Sequence, residues 1–278
     1  MALYCLVSAG GSPGVTTTAL GLALAWPGKV LLAECDPMGR RVLPGYMADR
    51  LEGSAGPGLL GLATSARAEP EGSLSLEDYV FPIADDGPVG LLHGVRDPRN
   101  ASQLVALWPL LVQALTARDG DAIADLGRVG GAETPVPLLA AADVVVVVLK
   151  PTLVQVDAVR PRLDVVRALV ADQALVGLCV VEDGPYRTVE MERALKVPVL
   201  AELPHSTSDA RVLSDGARPR RTFRTCLLMR SLTRLATRLR EVVGPPPALS
   251  STADGPSNPV GQTLAGEPIC PEPTRSRS

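Results

Sequence analysis

The chain has 278 residues, a net charge of −3, 46% apolar residues and only 3% aromatic ones, enough for one substantial core built from Ala, Val and Leu. No apolar run approaches the roughly 18 residues of a membrane span. The N-terminus reads as a strand without a basic leader, so a secreted chain is not expected and a cytoplasmic one is.

Apolar runs of strand length alternate with helical patterns, which predicts an α/β fold with a doubly wound, mostly parallel sheet covered on both faces. In chain order the strands are expected at 3–8, 30–34, 89–93, 122–125, 144–149, 175–181 and 199–202. Helices are expected at 16–25, 101–117, 153–171, 188–195 and 222–243. Val144–Val148 is five valines in a row, a segment suited only to a strand buried on both sides. Residues 51–75, rich in Gly, Ala and Ser, read as a short helix with flexible flanks. The folded domain is expected over 1–243. Residues 244–278 hold eight prolines, four glycines and no aromatic residue, a composition that cannot repay the entropy of ordering, so a disordered tail is expected there. Cys5, Cys35, Cys179, Cys226 and Cys270 show no metal-ligand spacing and four lie in apolar runs, as reduced and buried thiols do.

In an open α/β sheet, ligands bind where strands end at their carboxyl edge, and four strand ends here deliver suggestive residues. The first is followed by Ala9-Gly10-Gly11-Ser12-Pro13-Gly14-Val15-Thr16-Thr17-Thr18. Glycines that let backbone N–H groups approach a phosphate, followed at once by a helix, make a phosphate-binding loop. Such a loop also carries a lysine before its first threonine, and Val15 stands there. The second strand ends on Glu34 and Asp36 ahead of a Pro37-Met38-Gly39 turn. The fourth ends on Asp125 before Gly127, where a Mg²⁺-associated carboxylate belongs. The fifth ends on Lys150-Pro151. Plainer roles stand beside these: Thr16–Thr18 as helix caps, Asp36 and Asp125 as turn caps, and His93 and His205 as structural residues.

Together these segments resemble the ParA/MinD family of deviant Walker ATPases, which place DNA segments, cell-division inhibitors and secretion or pilus machinery. The resemblance runs over roughly residues 3–240. It includes Gly14 followed by Thr16-Thr17-Thr18-Ala19, Glu34-Cys35-Asp36-Pro37, Asp125, Ala142-Asp143-Val144, and Val197-Pro198-Val199-Leu200 with Pro204. It implies ATP and Mg²⁺ as ligands. Gly10, Gly11, Ser12, Gly14, Val15, Thr16 and Thr17 would hold phosphate, Thr16 and Asp125 would bind the metal, and Asp36 would orient the attacking water. The chain departs from the family where charge matters most. Gly10 and Val15 occupy the places of the two loop lysines, and Met38 that of a glutamine. The first lysine in the chain, Lys29, lies some eleven helical residues beyond the loop, about 16 Å away at the opposite edge of the sheet. Arg40, Arg128 and Lys150 are the candidates for a substitute cation.

Two functional expectations follow from the resemblance. One is a non-hydrolysing or weakly hydrolysing scaffold or regulator in chromosome partitioning or in positioning a secretion or pilus system. The other is an active ATP-driven switch with a substitute cation. A homodimer and a protein partner from such a system are implied, with the protein peripheral at nucleoid or membrane. Residues 211–240 hold nine arginines and one acid, Asp215, a balance of +8 against −11 elsewhere. Within the expected helix 222–243, Leu228, Leu232, Leu235 and Leu239 mark one apolar face. The arginines form a solvated face or meet DNA phosphates, anionic lipid or an acidic partner. Non-specific DNA contact, which the resemblance implies for this region, would fall to Arg218, Arg220, Arg221 and Arg224.

Overall fold

The computed structural model describes residues 1–51, 53–68, 74–83 and 88–244. Its strands are β1 (Leu3–Ser8), β2 (Val30–Glu34), β3 (Phe81–Pro82), β4 (Val89–Leu92), β5 (Asp121–Arg128), β6 (Val144–Leu149), β7 (Leu175–Glu182) and β8 (Val199–Pro204). They form one sheet in the order β3-β4-β2-β5-β1-β6-β7-β8, parallel throughout except where β3 runs antiparallel to β4. The α-helices are α1 (Val15–Leu24), α2 (Gly58–Ala68), α3 (Leu107–Ala117), α4 (Val136–Ala140), α5 (Leu153–Leu169), α6 (Thr188–Leu195), α7 (Thr207–Ser214) and α8 (Leu227–Val243).

Strand alternation divides the core into two layers. Leu3, Cys5 and Val7 of β1 join Leu59, Leu111, Val159 and Met191 from α2, α3, α5 and α6. Tyr4 and Leu6 face the other way, toward Leu20, Val212 and Leu232 from α1, α7 and α8. This is the doubly wound arrangement expected from the apolar runs, which are continuous because each central strand is buried on both faces. Val144–Val148 is fully enclosed, as five β-branched residues require. Cys5, Cys35 and Cys179 are free and buried, and Cys226 is free and half-buried.

The differences from expectation have local causes. The helix expected over 101–117 is split into a 3₁₀ segment, Pro98–Leu104, and α3. Pro109 lacks an N–H and fits best in a first turn, where none is needed, and α3 starts at Leu107 so that it lies there. The expected helix 222–243 is likewise divided at Cys226, whose extended backbone (ψ 164°) separates a short 3₁₀ turn from α8. Four short elements were not foreseen: α4 and α7, both eight residues or fewer, the 3₁₀ turn Glu77–Tyr79 and the two-residue β3. They are too short to show a period. The tail expected from residue 244 lies outside the described residues from 245 onward.

Candidate phosphate-binding site

β1 runs between β5 and β6 and opens into the glycine loop at its carboxyl end. Gly11, Ser12 and Gly14 take left-handed φ values of 70°, 45° and 102°. Successive positive φ angles turn backbone N–H groups toward a common point, the geometry of an anion nest. α1 begins at once, its first hydrogen bond running from Thr18 N–H to the Gly14 carbonyl at 2.9 Å. No side-chain cap bond is made at this N-terminus, so the reading of Thr16–Thr18 as caps does not hold. The loop, Thr16, Thr17 and Asp36 line a cavity of about 400 Å³. Gly11 is obligatory twice over: its φ is positive, and a Cβ there would lie 2.2 Å from Nε2 of Gln155.

Three acids converge beside the loop because β2, β5 and β1 are neighbours, with Glu34 in register with Asp125. Their roles differ. Glu34 is buried and accepts from the N–H groups of Arg41 at 2.6 Å, Val42 at 2.8 Å and Gly94 at 3.4 Å. It therefore clasps the loop after β2, and burial still pushes its carboxyl upward against those bonds. Asp36 lines the cavity, and its Oδ1 accepts from Met38 N–H at 2.8 Å. The turn-capping role is thus real, and the residue also faces the cavity where a water would be oriented. Asp125 is 1% exposed and accepts from Gly127 N–H at 3.0 Å. Burial raises its pKa to about 7, opposed by the hydroxyl of Thr16 and reinforced by the charges of Asp36 and Glu34. Thr16 and Asp125, the two proposed metal ligands, are therefore brought together.

The cation candidates separate cleanly. Lys29 pairs with Asp119 at 3.0 Å, on the amino-terminal side of the sheet where β2 begins. Lys150 pairs with Asp183 at 2.6 Å. Arg40 turns toward Nδ1 of His93 at 3.5 Å. His93 itself bridges the carbonyls of Gly94 and Gly56 at 3.0 and 3.1 Å, the structural role expected of it. Arg128 alone of the candidates lines the cavity, together with Arg41. Sequence reasoning passed over Arg41, although it follows β2 as directly as Arg40 does. Val15 is 7% exposed and packs into the core layer beneath α1.

In the basic segment, Arg220 is committed elsewhere: it pairs at 2.6 Å with Asp209, whose side chain is 8% exposed. Arg220 keeps 63% of its side chain exposed and is at the same time the partner of that buried carboxylate, which would be costly to strand. Arg218, Arg221 and Arg224 are exposed. The leucine stripe of α8 is buried as expected.

A central strand, a nest-forming glycine loop, a helix and a buried acid on the adjacent strand make up the site, and the fold as a whole is similar to that of solved MinD and ParA ATPases. MinD from Pyrococcus horikoshii OT3, solved with Mg-ADP, shares 17% identity over 87% of this chain and 97% of its own, with a TM-score of 0.68. A ParA family ATPase from Chlorobium tepidum TLS gives 17% identity, 86% and 98% coverage and a TM-score of 0.65. The MinC:MinD cell division complex of Aquifex aeolicus gives 15% identity, 86% and 95% coverage and 0.66. No protein-family model matches the sequence, and no curated protein does. The nest, the cavity and the Thr16–Asp125 pair fit a magnesium nucleotide; the core position of Val15 does not supply the usual charge.

Proposed function

We propose that the chain is a ParA/MinD-like scaffold or regulator in a partitioning or positioning system, holding a nucleotide with negligible turnover. The observation that carries this reading is Val15, an apolar core residue at the place where a lysine would follow the phosphate through the reaction. Phosphoryl transfer depends almost wholly on positioning and electrostatics, so loss of that cation removes several kcal/mol of transition-state stabilisation. The nest and the Thr16–Asp125 pair are in place, which supports binding. The Mg-ADP in the Pyrococcus protein and the MinC partner in the Aquifex complex support nucleotide and protein partner as the two inputs.

The test is steady-state ATP hydrolysis beside a thermal-shift titration with ATP, ADP and Mg²⁺, since a ligand selective for the folded state raises the midpoint above its Kd. The expected result is a saturable shift with turnover at background. Turnover comparable to that of an active ParA protein, abolished by Asp36→Ala, would overturn the scaffold reading. Val15→Lys is expected to strengthen triphosphate binding, because Val15 already lines the cavity.

A further inference from the structure

The cavity has lost its lysines but not its positive charge. Arg128 leaves the end of β5 and lies across the glycine loop. A Cβ added at Gly10 would meet its Cζ and Nε at 3.8 Å and an Nη at 3.9 Å. Gly10 is the position at which the resemblance places one of the two absent lysines. Arg41 approaches from the loop after β2 and lines the same cavity.

Neither guanidinium donates a side-chain hydrogen bond or joins an ion pair among the described residues, in contrast to Lys29 and Lys150. Asp36 is the one acid among the residues lining the cavity, and its Oδ1 is already held by Met38 N–H. Asp36 feels the charge of Arg41, which leaves one carboxylate against two guanidinium groups and a nest of N–H groups, a lining of net positive charge that suits an anion. On the flank of the same loop, Gln155 is 8% exposed and its Oε1 has no hydrogen-bond partner among the described residues. A buried acceptor without a donor carries a desolvation cost.

We propose that Arg128, assisted by Arg41, is the phosphate-binding cation of this loop, and that the ligand is a nucleoside di- or triphosphate. The proposal rests on the reading of the loop as a nucleotide site and names the residues that make it one.

The experiment is isothermal titration of the full chain with ATP, ADP and AMP, each with Mg²⁺, for wild type, Arg128→Gln, Arg41→Gln and the double variant. Melting curves without ligand accompany each. Both side chains are exposed, so unliganded midpoints are expected to stay unchanged. Removing one charge-assisted contact is expected to weaken ATP binding about tenfold or more for Arg128→Gln, with a smaller loss for Arg41→Gln and little change for AMP. Unchanged ATP binding in both single variants and the double variant would overturn the assignment and leave the nucleotide site standing. An equal loss for ATP and AMP would overturn it as well, marking a structural role. If the wild type binds neither ATP nor ADP, the nucleotide reading itself falls, and this proposal with it.

Discussion

Asp125 concentrates the cost of building this site. Its carboxyl is fully enclosed, and its pKa stands at about 7 against 3.8 for a solvated aspartate. Below the lower value it is neutral in both the folded and unfolded states. Between the two values the folded protein keeps a proton that the unfolded chain gives up, so stability falls as pH rises through that window and levels off above about 7. Asp125→Asn keeps an acceptor for Gly127 N–H and removes the charge. Its melting midpoint is therefore expected to exceed that of wild type at pH 8 by more than at pH 5. A difference independent of pH would show that the carboxylate is not strained. Gly127 is the second residue under constraint, with φ at 60° and a would-be Cβ 2.2 Å from the Asp36 carboxyl group. Gly127→Ala is expected to cost about 1–3 kcal/mol in denaturant unfolding at constant slope, because either Asp36 or the strand end must move.

Among the elements, α8 and the segment before it combine two functions that sequence alone does not separate. The stripe Leu228, Leu232, Leu235 and Leu239 is buried against the sheet, while Arg238 donates to the carbonyls of Val199 and Leu200 at 3.0 and 2.9 Å and holds the helix on edge strand β8. Arg218, Arg221 and Arg224 remain on the surface. Replacing those three with Ala is expected to leave the melting midpoint unchanged, whereas Arg220→Ala is expected to lower it by stranding Asp209. Should the exposed arginines bind polyanions, affinity falls steeply with salt as counterions are released. Duplex DNA and anionic vesicles at low and moderate salt separate a ParA-like contact from a lipid one. Binding of neither at low salt would remove nucleic acid from the list of partners.

For the molecule as a whole, the two core layers meet through a sheet whose central strands have no solvated face, and every described helix except the shortest pieces contributes apolar side chains to one layer or the other. We propose that residues 244–278 add nothing to this core, because their composition offers few apolar groups to bury. A chain ending at Val243 is expected to melt at the same temperature as the full one in a calorimetric scan. A fall of many degrees would place part of the tail in the fold.

How the chain divides between local and tertiary determination follows from the same physics. β1, β2, β6 and α6 were legible to the residue, since β-branched and apolar runs bounded by turn residues, or a clear helical period, specify an element with little help from elsewhere. The glycine loop and the acids at strand ends were legible for a related reason: a nest needs glycine, and a strand end in an α/β sheet is where a ligand sits. Short elements such as β3 and α7 were not, because they exist only by pairing with or packing on their neighbours. Nor was the assignment of charge. Arg40, Arg128 and Lys150 are equivalent as sequence, each a cation after a strand. Only the tertiary structure sends Lys150 to Asp183, Arg40 to His93 and Arg128 across the glycine loop, because a long charged side chain takes its partner from whatever the fold brings within reach.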